Sequence, residues 1–73
     1  MITLKDLIDV LDPNTDVCLR HMEYPNYSRT ITENRFGYIT LDMVSKYLDY
    51  YVTDMKLVDE TLEVTLDRGY KYD

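Results

Sequence analysis

The sequence has no tryptophan, one phenylalanine, two glycines, two prolines and a single cysteine among its 73 residues. Each scarcity excludes something. Cys18 has no second cysteine to pair with, so no intramolecular disulfide can form, and a reducing, cytoplasmic setting is expected. Gly37 and Gly69 stand far apart, which rules out a glycine-rich loop of the kind that cradles phosphates. No apolar run approaches the roughly 20 residues of a membrane helix, and Lys5 and Asp6 interrupt the stretch a signal peptide would use. Soft metal ligands are equally scarce. Apart from methionines there are only Cys18 and His21, too few to close a four-ligand zinc site.

Cations are outnumbered as well: 8 Lys plus Arg face 14 acids, for a net charge of −6. Proteins that hold nucleic acid neutralise phosphates with Lys and Arg, so direct nucleic-acid binding is disfavoured. An acidic surface suits a basic protein partner, or serves solubility alone. What the chain has in abundance is tyrosine: Tyr24, Tyr27, Tyr38, Tyr47, Tyr50, Tyr51, Tyr70 and Tyr72. Tyrosine offers a rigid apolar face with a polar tip, which suits interfaces. With so few other aromatics, some of these rings must also fill the core.

Hydrophobic content is 45%, enough for one domain over residues 1–73, though a chain this short buries only about 60% of its unfolded surface. Thr3 and Asp6 form a capping box for a first helix, and Ile2 is placed to staple against Leu7. Leu4, Leu7, Ile8 and Leu11 fall on one helical face, and Asp12-Pro13-Asn14-Thr15 ends it. Asp16–Glu23 reads as a strand with Val17, Leu19 and His21 on one face and Cys18, Arg20 and Met22 on the other. Pro25-Asn26 marks a turn, and Arg29–Glu33 resumes an extended pattern. Thr40 caps a second helix whose stripe is Leu41, Val44, Tyr47, Leu48 and Tyr51.

The last strands form the clearest hairpin. A two-residue turn at Asp59-Glu60 sets Leu57 opposite Leu62 and Met55 opposite Val64 on one face, and Lys56 opposite Glu63 on the other, although the lack of a glycine there leaves a slightly longer loop as the alternative. The order α-β-β-α-β-β predicts an α+β fold, a small antiparallel sheet with two helices packed on it. Leu7, Leu11, Leu19, Val44, Leu48, Leu57, Leu62 and Val64 are the expected core, and Gly69 should release a mobile tail over 70–73.

No catalytic or metal-binding constellation is legible in the sequence. Strand alternation puts Cys18 and His21 on opposite faces, so they cannot act as a nucleophile and its base; Cys18 should be a small buried residue and His21 a surface or edge one. Asp12, Asn14, Asp16 and Glu23 follow the ligand spacing of a calcium loop, but Val17 stands where that loop needs glycine and Pro13 stiffens it. A polar helix-to-strand turn is the better reading. No carboxylate pair sits in an apolar context that would tune it for acid–base work. The expectation is a protein with no catalytic residues, no metal and no cofactor.

Thr3-Leu4-Lys5-Asp6-Leu7-Ile8-Asp9-Val10-Leu11 with Thr15-Asp16-Val17, and the closing Leu57-Val58-Asp59-Glu60-Thr61-Leu62-Glu63-Val64-Thr65-Leu66, resemble segments of small acidic accessory proteins of phages and mobile elements of Gram-positive bacteria. Some similarly small, acidic phage proteins are anti-CRISPR inhibitors that block nucleic-acid-binding effectors. The resemblance implies a cytoplasmic protein that docks on a larger basic partner, without contacting nucleic acid or membrane. From Phe36 onward eight acids face four Lys plus Arg, so the C-terminal half is the expected contact surface. The candidate contacts are Asp54, Asp59, Glu60 and Glu63 along an acidic ridge, with Tyr47 and Tyr50 beside it. A structural or regulatory homodimer, in which tyrosines bury one another, is the alternative, and a small enzyme of unrecognised type a third reading.

Overall fold

Thr3 opens the first helix with a reciprocal cap. Its hydroxyl accepts from the Asp6 N–H at 3.3 Å, and the Asp6 carboxylate accepts from the Thr3 N–H at 3.1 Å. The computed structural model in which this is seen describes residues 2–24 and 27–68, the side chain of Tyr24 excepted. The turn expected at Pro25-Asn26 and the tail over 70–73 lie outside the described residues.

The helix itself, α1 (Leu4–Ile8), is shorter than the apolar spacing predicts. The N–H groups of Val10 and Leu11 both return to the Leu7 carbonyl, and the next turn is lost. Asp12 then accepts from the Asn14 N–H at 2.8 Å, a local bond that competes with helix, and Pro13 forbids continuation. Leu4 and Leu7 are buried, whereas Leu11 is only half-buried. Ile2 stays largely exposed, and its carbonyl accepts from the Val52 N–H at 2.9 Å.

Four strands follow: β1 (Asp16–Tyr24), β2 (Tyr27–Arg35), β3 (Tyr51–Val58) and β4 (Thr61–Asp67). They form one sheet in the order β2-β1-β4-β3. The two hairpins are antiparallel, but β1 and β4 run parallel, so the sheet is mixed and not antiparallel as expected. The reason lies in the connection. The segment over 36–50 crosses the sheet face instead of turning at its end, and so delivers β3 in the direction of β2. The most apolar strands take the two central places, where neighbours shield both edges.

The crossover is also less helical than expected. It contains a 3-10 turn at Phe36–Tyr38, then α2 (Leu41–Val44), then a second 3-10 turn at Ser45–Tyr47. Backbone angles of φ −118° and ψ 0° at Val44 break the helix after one turn. Val44, Tyr47, Tyr50, Tyr51 and Val52 all favour extended backbone, and that preference prevails before β3 begins. Thr40 makes no side-chain cap bond, and Leu41, expected on the buried stripe, is 64% exposed. The α+β class holds, with the order α-β-β-α-β-β matched only roughly. Gly37 fixes the entry to the crossover: its N–H donates to the Pro13 carbonyl at 2.8 Å, and a Cβ there would stand 3.1 Å from that same oxygen.

The core lies between this layer and one sheet face. Leu4 and Leu7, with Val44 and Tyr47, pack on Val17 and Leu19 of β1 and Val64 and Leu66 of β4. Each such buried side chain contributes about 1.5–3 kcal/mol of transfer free energy. Of the expected core, Leu7, Leu19, Val44 and Val64 are buried, and Leu48 and Leu62 are half-buried. Leu57 is a clear correction at 71% exposed. It has the right face, opposite Leu62, but the helical layer does not extend far enough along the hairpin to cover it.

Candidate functional site

The β3–β4 hairpin carries four of the six residues expected to contact a partner. Its register agrees with the sequence reading: Leu57 opposite Leu62, Met55 opposite Val64 and Lys56 opposite Glu63. The turn is the two residues Asp59 and Glu60, with φ of 50° and 67°. Both angles lie in the left-handed region that a primed hairpin turn requires and that glycine or asparagine adopts most readily. A pair of acidic residues is thereby held at the tip in a backbone geometry neither prefers.

Every residue from Thr53 to Glu60 is exposed. On the helical face of the sheet, Met55 and Leu57 are 46% and 71% exposed; on the opposite face Val58 is 40% exposed. Asp54, Asp59 and Glu60 are exposed too, but Glu63 is half-buried on β4, between Lys56 of β3 and Cys18 of β1. The acidic ridge is therefore not continuous. Lys56 stands between Asp54 and the tip, and Glu63 faces Lys56.

Tyr47 and Tyr50 lie elsewhere. Tyr47 is 7% exposed and belongs to the core, and Tyr50 is half-buried. Both pack on His21, at ring-centroid distances of 5.7 and 5.3 Å. His21 is accordingly no surface residue: its side chain is 13% exposed, and Nε2 is buried with no hydrogen-bond partner among the described residues. The sequence placed His21 correctly on the face of Val17 and Leu19; what it did not reveal is that the tyrosine-bearing crossover would lie over that face.

An ion pair missed at the sequence level closes this cluster. Arg29 stands opposite His21 on β2 and donates to the Glu23 carboxylate at 2.8 Å and to the Tyr47 hydroxyl at 3.4 Å. Glu23 also lies 3.1 Å from Nδ1 of His21. The Arg29 hydrogen bond, then that of His21, holds the Glu23 carboxyl below its ordinary value. The bond to Tyr47, then that to Glu23, raises the guanidinium still further above its ordinary value. The findable signal was positional, since once the first hairpin is drawn, Arg29 falls across from His21.

The remaining candidates separate in space. Cys18 is buried and free, on the sheet face opposite His21. Glu23 lies near the end of β1 and is engaged with Arg29, whereas Asn14 donates its N–H to Asp12 in the loop before the strand, so the calcium-like spacing is not gathered into one site. Arg20 spends its guanidinium inside the sheet, on Ser28 Oγ at 2.9 Å and Thr30 Oγ1 at 3.0 Å. Among the described residues no helix is long and apolar enough to cross a membrane. Compared with known proteins, the chain matches no family's sequence model, no curated protein and no solved structure.

Proposed function

We propose that this is a non-enzymatic protein-binding module whose β3–β4 hairpin engages a larger, basic partner. The observation that carries the reading is the exposure of Leu57 at 71% beside an open Met55 on one face of the hairpin, with the exposed acids Asp59 and Glu60 at its tip. An apolar centre with a charged rim is how interfaces are built. The acids supply what steers a basic surface into place. The net charge of −6 makes nucleic acid an unsuitable ligand but a nucleic-acid-binding protein a suitable one, because carboxylates can occupy a channel meant for phosphates. Together with the resemblance to accessory phage proteins, this favours an inhibitor of a basic nucleic-acid-binding effector acting in the cytoplasm, as anti-CRISPR proteins do.

Capture from a bacterial lysate, with mass spectrometry of the bound proteins, tests the reading when paired with an Asp59→Lys/Glu60→Lys variant. A basic protein should be retained by the native chain and released by the variant. Its association should slow, and much of the difference should vanish at high salt, since exposed charges are screened beyond about 8 Å at physiological ionic strength. Equal retention at low salt by a folded variant would exclude the hairpin tip as the contact.

A further inference from the structure

The outer edge of β3 is only partly covered. Near its start Thr3 bridges Tyr51, and Val52 donates to Ile2. Beyond that point no strand lies beside β3 among the described residues. A two-residue turn makes Val58 and Thr61 the first hydrogen-bonded pair of the hairpin. By alternation Lys56 and Asp54 also bond inward to β4, so Met55 and Leu57 direct their backbone N–H and C=O groups outward. An edge of this kind is a template for another strand. The other edge, β2, is better guarded, with a bulge opposite Leu19/Arg20 and the charged residues Arg29, Glu33 and Arg35 along it.

We propose that the occupant of the β3 edge is the β3 of a second copy, paired antiparallel about a two-fold axis through Met55. The sequence of the strand selects this partner and this register. With Met55 opposite its own copy, Asp54 faces Lys56 of the second chain and Lys56 faces its Asp54, two opposite-charge pairs from one symmetric contact. Shifting the axis to residue 56 would set lysine against lysine, and shifting it to residue 54 would set aspartate against aspartate. The selected register also joins the two outward-directed Met55 backbones. On the opposite face it makes one apolar row, Val64–Met55 followed by Met55–Val64 of the second copy, which covers a methionine now 46% exposed. Lys56 then lies between Glu63 of its own hairpin and Asp54 of the other chain. The product is an eight-stranded sheet through strand addition at the edge. The proposal does not depend on a basic partner being found.

Sedimentation velocity on the purified chain alone, from about 10 μM to about 1 mM, tests it. The native chain should show a concentration-dependent monomer–dimer equilibrium. Asp54→Lys places lysine opposite lysine, and Lys56→Asp places aspartate opposite aspartate. Each alone should dimerise at least roughly tenfold more weakly, since two attractive pairs become repulsive. An equimolar mixture of these two variants should recover association as a heterodimer. The double variant Asp54→Lys/Lys56→Asp, complementary again, should self-associate like the native chain and serves as the control should either single variant fold poorly. A native chain that stays monomeric to about 1 mM would overturn the proposal, as would single variants that dimerise normally or a mixture that does not recover association.

Discussion

Tyr47 and Tyr50 meet edge to face, with ring centroids 5.1 Å apart and planes at 86°. This is the arrangement that aligns the positive edge of one ring with the negative face of the other. It lets Tyr47 of the second 3-10 turn and Tyr50, in the bend before β3, close over His21 without a continuous helical stripe. Tyr47 is the member of the pair that is buried. Truncating Tyr47 to alanine should cost about 3–5 kcal/mol, as for other buried aromatics. Tyr47→Phe keeps the ring and gives up only the long bond from Arg29, and should cost less than about 1 kcal/mol. Urea unfolding of the two variants separates ring packing from the hydroxyl.

The exposure gradient along the second hairpin makes a sharper comparison. Leu66 is fully buried and Leu57 is 71% exposed, although both lie on the helical face. Leu66→Ala should cost about 2–5 kcal/mol, whereas Leu57→Ala should change stability by less than about 0.5 kcal/mol at concentrations where the chain is monomeric. Equal losses in the two variants would mean that Leu57 is buried in solution.

Glu60 sits at φ 67°. A residue with a Cβ is strained there and glycine is not, so Glu60→Gly should stabilise the fold by about 0.5–1 kcal/mol after glycine's greater unfolded-state freedom is counted. The thermal midpoint should rise by several degrees. An unchanged or lower midpoint would argue against the primed turn.

Acid should weaken the first hairpin through Glu23. Its folded-state value is depressed below the ordinary 4.5 by the hydrogen bonds from Arg29 and His21. A depressed carboxyl contributes stability that is present above its unfolded value and lost as pH falls through the lower, folded one. Urea midpoints measured from pH 7 down to below 4.5 should therefore fall more in the native chain than in Glu23→Gln. Parallel curves would show that the Arg29 contact contributes nothing in solution. Asp6, depressed by its bonds to Thr3, adds a second component with the same sign.

How much of this was legible in the sequence differs by element. The register of the second hairpin was readable, because one pairing satisfied an apolar face and the Lys56–Glu63 pair at once, but the tightness of its turn was not, since neither Asp59 nor Glu60 is the glycine such a turn prefers. The capping box was readable because it is local chemistry. The parallel pairing of β1 with β4 was not, since nothing within either strand encodes which neighbour it meets. Leu57 misled for a related reason. Alternation assigns a face but not the reach of the layer that covers it. As for the contact surface, Asp54, Asp59 and Glu60 are exposed as a solvent-facing pattern implies, while the aromatic content that suggested a tyrosine surface was in part core filling, as the burial of Tyr47 demonstrates.

The parallel ladder between β1 and β4 sets the kinetic character of the chain. Each hairpin is local and can flicker into shape quickly, but a two-stranded hairpin is marginal in water by itself. The Val17–Leu62 and Leu19–Val64 pairs join them across most of the sequence. Closing that long loop has an entropic cost that comes before the core is gained, so the docking of the two hairpins is the expected bottleneck of folding. The same ladder should hold the slowest-exchanging amides, with β1 and β4 opening only when the whole domain does. Substitutions at Val17 or Val64 should then retard folding, whereas those near Asp59 should leave this barrier largely untouched.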